Sequence, residues 1–184
     1  RDNKPDHLIM NCRYPLIFLD NEDQRDICAP YVSKPIAIIG SLYPRFRRMR
    51  NIEQTPDAKG TVVFPVHATK YSDLKLDWDE YAQSLKALPE QFQPVTVCIY
   101  WIDVQKGVHK HIEKHGLDVV TAGHITDPQF PERFYDILKR YAYASSNQFG
   151  SYLPYAIEMG IPFFFFGDAP VFVTRNEKYM PDGT

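Results

Sequence analysis

Residues 160–167 read Gly160-Ile161-Pro162-Phe163-Phe164-Phe165-Phe166-Gly167. An all-aromatic run of four residues between glycines is typical of a strand that is covered on both faces of a sheet. The preceding residues, 143–159, combine a strand end, a turn of Ser, Asn and Gly, and a short helix. The two segments together predict a strand–turn–helix–strand unit. In α/β sheets, small polar groups at such a helix start tend to bind an anionic ligand.

The rest of the chain alternates predicted strands with predicted helices. The strands are expected at residues 16–19, 36–39, 61–64, 95–100, 117–120, 143–145 and 162–166. The helices are expected at residues 21–28, 79–88, 104–115, 131–140 and 151–159. Strands separated by helices of this length imply right-handed crossovers. We therefore predict an α/β fold, a Rossmann-like parallel sheet with helices on both faces.

The pattern also predicts two domains. Residues 42–60 contain Pro44, Pro56, Gly60 and the arginine-rich run 45–50, and this composition favours a linker. Residues 1–41 are then the end of an amino-terminal domain, and residues 61–184 form a second domain. The chain opens on an arginine rather than a methionine and closes without a helix, so we expect a fragment of a longer protein.

Composition narrows the function classes. The 184 residues are 44% hydrophobic, enough for one sizeable core and part of another. The net charge is −2 and the basic residues are dispersed, which argues against a nucleic-acid partner. The run 45–50 is interpreted as a solvated connection, with contact to an anion or a membrane surface as the alternative. No apolar stretch approaches the roughly twenty residues of a membrane span. Three well-separated cysteines argue against disulfides and zinc sites and predict a cytoplasmic location.

Candidate site residues follow the predicted strands, because ligands bind outside the carboxyl ends of a parallel sheet. His67, with Thr69 and Lys70 nearby, is either a hydrogen-bond donor to a phosphate or a catalytic acid–base, or it is an ordinary loop histidine. His124 follows Gly123, where a ligand can approach the backbone closely, or it is a turn residue packed on an aromatic neighbour.

The turn at residues 145–151 is the strongest candidate. Ser146, Asn147, Gly150 and Ser151 offer amides and hydroxyls to an anion, although a single Ser or Asn here would also serve as an ordinary helix cap. The sequence has neither a P-loop nor a GxGxxG turn, and no GxSxG nucleophile elbow. His111 and His115 have metal-ligand spacing, but interleaved lysines favour a solvated helix face. No metal and no cofactor are predicted.

The arrangement resembles the carboxyl-terminal, donor-binding domain of GT-B glycosyltransferases and the related nucleotide-sugar 2-epimerases. Residues 145–151 are similar to the turn that holds the donor diphosphate in that family, and Ala156, Gly160 and Pro162 match its Ala-x-x-x-Gly-x-Pro spacing. Residues 36–41 resemble the last strand of the amino-terminal domain, and residues 64–69 the first strand and loop of the donor domain. The family often has Glu before the alanine, to hold the ribose, whereas this chain has Tyr155.

The resemblance implies roles for the candidate residues. Ser146, Asn147, Gly150 and Ser151 would bind the donor diphosphate, helped by Thr69 and Lys70. Gly123 and His124 would meet the nucleotide base, and His67 would be the catalytic residue. The implied function is transfer of a sugar from a nucleotide-sugar donor to a glycan acceptor, for example a cell-surface polysaccharide.

Two other functions stay open. One is epimerisation of a nucleotide sugar, which needs acid–base groups in an interdomain cleft. The other is a non-catalytic module that binds a partner protein through exposed aromatic side chains such as Trp101 and Tyr152.

Overall fold

The fold is taken from a computed structural model that describes residues 5, 7–11, 13–68 and 72–174. The chain divides into two compact units, residues 1–50 and residues 51–184. The division falls inside the stretch predicted as a linker. No helix among the described residues has both the length and the apolar content needed to cross a bilayer.

The first unit is a small β–α–β arrangement. Its helices are α1 (His7–Met10), α2 (Glu22–Cys28) and α3 (Leu42–Met49), with a 3₁₀ turn at Ala29–Tyr31. Strands β1 (Ile17–Leu19) and β2 (Ile36–Ile38) pair in parallel. Asn21 caps α2 by accepting a hydrogen bond from the Gln24 amide at 2.9 Å. A small core of Ile17, Leu19 and Cys28 holds the unit together.

The second unit contains the predicted parallel sheet. Its strands are β3 (Thr61–Val63), β5 (Val95–Cys98), β6 (Asp118–Val120), β7 (Tyr143–Ser146) and β8 (Phe163–Phe165). They lie in the order β6-β5-β3-β7-β8, and every neighbouring pair is parallel. The chain therefore adds strands outward on one side of β3 and then returns to add strands on the other side. This is the strand order of a Rossmann-like sheet, and it reverses between β3 and β7.

Helices cover both faces of this sheet. They are α4 (Trp78–Lys86), α5 (Trp101–Gln105), α6 (Val108–Glu113), α7 (Phe130–Leu138) and α8 (Tyr152–Glu158). On one face, Leu85 of α4 and Ile112 of α6 are fully buried in a cluster with Val63 and Val97. On the other face, the Phe64 ring lies 5.5 Å from Phe134 of α7 and 5.4 Å from Tyr152 of α8. The α/β prediction is thus confirmed for the second unit.

A second, two-stranded sheet was not predicted. Strands β4 (Ser72–Lys75) and β9 (Val171–Thr174) pair in antiparallel register. The short 3₁₀ turn Glu90–Phe92 leads into β5. Cys98 is buried in β5.

Three expectations about elements were wrong. Residues 42–49 form helix α3 where a linker was expected, because Pro44 occupies the first turn, where a helix does not need its N–H. The helix expected at 104–115 is two helices, broken at Gly107, which adopts a φ of +79°. The aromatic strand is β8, at the edge of the sheet, and its Phe165 is 56% exposed rather than covered.

Candidate functional site

The candidate site lies at the carboxyl edge of the five-stranded sheet. Strands β3 and β7 are neighbours there, although 79 residues separate the end of β3 at Val63 from the start of β7 at Tyr143 in the printed sequence. The chain leaves this pair of strands in opposite directions, which opens a crevice above them. The loop that follows β3 carries His67, and the turn that follows β7 carries residues 147–151. The structure thus brings together the two segments that the sequence singled out most strongly.

Ser146 and Asn147 do not present their side chains to a ligand. Ser146 is fully buried, and its hydroxyl bonds with the Gln148 carbonyl and the Tyr152 hydroxyl, both at 2.8 Å. Asn147 is 6% exposed and accepts from the Val66 amide at 2.9 Å. Its side-chain nitrogen donates to the Asp168 carbonyl at 3.1 Å. These two side chains therefore hold the loops around the crevice in place.

The turn itself is held by Tyr152, which the sequence had offered only as an exposed aromatic. Its ring stacks on Phe64 and Phe163, and its hydroxyl donates to the Gln148 carbonyl at 3.0 Å. A Cβ atom at Gly150 would lie 2.3 Å from this ring, so only glycine fits. Ser151 is exposed and makes no side-chain cap with α8. The turn presents to solvent its backbone, the Ser151 hydroxyl and the Phe149 ring, which is 73% exposed.

His67 stands in the loop after β3, where its tautomer is set by a backbone contact. Its Nδ1 lies 2.9 Å from the Ala68 carbonyl oxygen. A carbonyl only accepts, so Nδ1 is the donor, and the neutral ring keeps its lone pair on Nε2. The ring packs 4.3 Å from Tyr100. Thr69 and Lys70, the expected helpers of His67, lie outside the described residues.

Asp103 is a buried carboxyl group beside this loop. It is only 2% exposed, in the first turn of α5, a position that the sequence had placed in a loop. Burial raises the pKa of Asp103 to about 6, against the opposing effects of the charges of His67 and Lys106 and the Ala68 amide. A carboxyl group with a pKa in this range gains or loses its proton near neutral pH. Of the acidic side chains near the candidate site, Asp103 has the pKa that departs most from its usual value. In the sequence, only its position after β5 pointed to this residue.

The loop after β6 carries Gly123 and His124. Gly123 adopts a φ of +85°, and a Cβ there would lie 3.0 Å from the Arg133 guanidinium. Arg133 anchors the loop by donating to the Ala122 carbonyl at 2.8 Å and to Asp127 at 2.7 Å. His124 accepts through Nδ1 from the Thr126 amide at 3.1 Å, which leaves an N–H at its exposed Nε2.

Aromatic contacts connect this loop with His67. His124 packs 4.6 Å from Trp101, and Trp101 lies 6.0 Å from Tyr100, which contacts His67. These four rings form a continuous aromatic strip above β3, β5 and β6. The Trp101 ring nitrogen is buried and has no hydrogen-bond partner among the described residues. Trp101 and Tyr152, two of the aromatic side chains named for the binding-module hypothesis, are both half-buried.

His111 of α6 and His115, just after that helix, contact one carboxylate. His111 and His115 lie 3.3 Å and 3.0 Å from Asp79, which also bonds with Lys114 at 2.6 Å. Hydrogen bonds from Lys114 and then His115 hold the pKa of Asp79 well below its usual range. The part of the chain that the structure describes contains no cluster of three His, Cys, Asp or Glu side chains arranged for a metal ion.

A separate cleft of about 450 Å³ lies between the start of α4 and the loop after β8. Its walls carry Lys75, Glu80 and Asp168, and the buried Tyr81 forms part of its floor. A Cβ at Gly167 would lie 2.4 Å from the Tyr81 ring, so the loop rests directly on that ring. The hydrogen bond from Asn147 to Asp168 links this cleft to the crevice.

Comparison with known proteins gives no assignment. A scan against protein-family models finds no match, and a search of curated proteins finds no relative.

Proposed function

We propose that the second unit binds a nucleotide sugar at the crevice between β3 and β7, as the donor-binding part of a glycosyltransferase. The observation that carries this proposal is the reversal of strand order between β3 and β7. In sheets of this topology the crevice at the reversal is the usual binding place of nucleotide ligands. Here it is bordered by His67 and by the glycine-containing turn 147–151.

The candidate residues lie along one edge of the sheet. The loop with His124 follows β6, and the turn 147–151 follows β7, three strands away. Adjacent strands are about 4.8 Å apart, so the base site and the diphosphate site lie roughly 14 Å apart along the sheet edge. A nucleotide sugar that occupies both sites lies extended along this edge. The aromatic strip between them offers ring faces for stacking.

The chemistry of such a transfer is mainly positioning and stabilisation of the departing diphosphate. In the proposed complex the backbone of the turn 147–151 donates to the diphosphate, and Ser151 adds a hydroxyl. His67 is the acid–base group: neutral, it accepts a proton at Nε2, and protonated, it donates to the leaving diphosphate. Ser146 and Asn147 hold the turn in place from below.

Isothermal titration of the chain with UDP, GDP, CDP and CMP tests the proposal. We expect one of them to bind, and His67→Ala and His124→Ala each to weaken that binding by about tenfold, the effect of losing one hydrogen bond of ~1.4 kcal/mol. His111→Ala, which alters an exposed histidine of α6 that contacts Asp79, is the matched control and should bind as the unaltered chain does. If none of the four nucleotides binds, the proposal fails and the binding-module alternative is favoured. If a nucleotide binds, NMR analysis of products from UDP-GlcNAc separates transfer from epimerisation.

A further inference from the structure

Helix α3 of the first unit presents an unusual face to solvent. Leu42, Phe46 and Met49 are spaced by four and three residues and so share one stripe of the helix. In a surface helix this apolar stripe normally packs on the core. Here Leu42 is 60% exposed and Met49 is 74% exposed, and the helix contributes no buried residue. The two ends of the apolar stripe are therefore exposed, and Phe46 between them is half-buried.

Arginines flank the stripe on both sides. With about 100° between successive residues, Arg45 lies about 60° to one side of Leu42 and Arg50 about 80° to the other. Both are exposed, and the Arg50 guanidinium lies 5.7 Å from the centre of the Phe46 ring. Residues 42–50 contain four arginines and no acidic residue. This surface, the α3 face, consists of Leu42, Arg45, Phe46, Met49 and Arg50.

We infer that the α3 face binds the surface of a membrane that contains anionic phospholipids. An exposed apolar stripe between cationic side chains is the arrangement by which a helix lies in the interface of a bilayer. The apolar side chains enter the boundary of headgroups and acyl chains, and the arginines stay among the phosphates. The commitment to an anionic lipid rests on charge: the whole chain carries −2, yet this face is purely cationic. The inference is independent of nucleotide binding by the second unit.

Co-sedimentation of the full chain with vesicles tests the inference. We expect partitioning to vesicles of phosphatidylglycerol and phosphatidylcholine, much weaker partitioning to pure phosphatidylcholine, and a loss of binding as salt is raised, because surface charges are screened. Each arginine near an anionic surface contributes about fivefold to binding. The variant Arg45→Gln/Arg50→Gln should therefore partition roughly 25-fold more weakly.

Two further variants sharpen the test. Leu42→Ser/Met49→Ser removes apolar contact without changing charge and should also reduce partitioning. Lys86→Gln/Lys110→Gln removes two exposed positive charges from the second unit and is the matched control, expected to bind as the unaltered chain does. The inference is overturned by equal binding to both kinds of vesicle, by no binding, or by equal losses in the control. Binding to double-stranded DNA in place of vesicles would also overturn it.

Thermal melting of each variant identifies any that fails to fold. A second pair, Arg45→Lys/Arg50→Lys, keeps the charge and should retain binding.

Discussion

At the scale of single residues, Asn147 organises the candidate site. Its side chain is almost completely buried and joins the loop after β3, through the Val66 amide, to the loop after β8, through the Asp168 carbonyl. The sequence alone predicted a polar residue at the carboxyl edge of the sheet. It did not show which way the side chain points, because both a ligand and a buried backbone group satisfy an amide equally well.

Replacing Asn147 by alanine should lower the free energy of unfolding by about 2 kcal/mol. The substitution leaves the Val66 amide and the Asp168 carbonyl without this partner, and the cost of an unsatisfied buried group is larger than the net gain from forming the bond. Urea unfolding measures the change. Gln148→Ala is the neighbouring control, since the Gln148 side-chain oxygen has no hydrogen-bond partner among the described residues. Equal losses in the two variants would contradict the bridging role.

Asp103 should make stability depend on pH between about 4 and 6. Burial raises the pKa of Asp103 to about 6 in the folded chain, whereas the unfolded chain has an ordinary value near 4. In this range the folded state holds more protons than the unfolded state, so stability falls as the pH rises. The fall attributable to this group is roughly 3 kcal/mol and is complete above the folded pKa.

Asp103→Asn tests this linkage, because asparagine cannot lose a proton yet can still accept from the Ala68 amide. Between pH 4 and pH 7, the free energy of unfolding of the unaltered chain should fall by about 3 kcal/mol more than that of the variant. Urea denaturation at several pH values gives the comparison. Parallel pH profiles for the two proteins would show that Asp103 titrates normally.

At the scale of elements, Gly60 allows the residue before β3 to pack closely against Pro94, the residue before β5. Gly60 adopts a φ of +68°, and a Cβ there would lie 2.1 Å from the Pro94 carbonyl oxygen. The same residue's carbonyl accepts from the Tyr143 amide at 3.0 Å, so Gly60 sits where β3 meets both of its neighbours. A change here should disturb the centre of the sheet.

Gly60→Ala should cost at least 3 kcal/mol of unfolding free energy, since it adds a steric clash to an unfavourable φ. Gly107→Ala is the control: Gly107 has a φ of +79° but nothing lies within 4 Å of the added Cβ. It should cost only the backbone term, about 1 kcal/mol. Chemical denaturation of both variants distinguishes the two contributions, and similar losses would argue against the close packing of β3 on Pro94.

The elements that the sequence did not predict share a physical reason. Ser72-Asp73-Leu74-Lys75 has little hydrophobic character, and β4 exists because it pairs with Val171–Thr174, almost a hundred residues later. Such a pairing leaves no local signal. The aromatic run was correctly predicted as a strand, but a run of apolar residues does not reveal whether its strand is central or at an edge. In contrast, the helix expected over residues 21–28 has local signals, and the structure contains it as α2.

At the scale of the whole molecule, the strand order β6-β5-β3-β7-β8 reverses between β3 and β7, and in sheets of this topology ligands usually bind at the reversal. Alternation of strands and helices predicts a parallel sheet, and the side chains after each strand indicate its functional edge. The alternation does not predict which strands become neighbours, so the pairing of the loop after β3 with the turn after β7 emerges only in three dimensions. That pairing is the structural basis of the proposed nucleotide site.

The most direct test is a crystal structure of the chain with the nucleoside diphosphate that binds best in calorimetry. Our account predicts diphosphate density within hydrogen-bonding distance of the backbone of residues 148–151 and of His67, with the base beside His124. Density instead in the cleft beneath the loop after β8, or at the amino edge of the sheet, would contradict it.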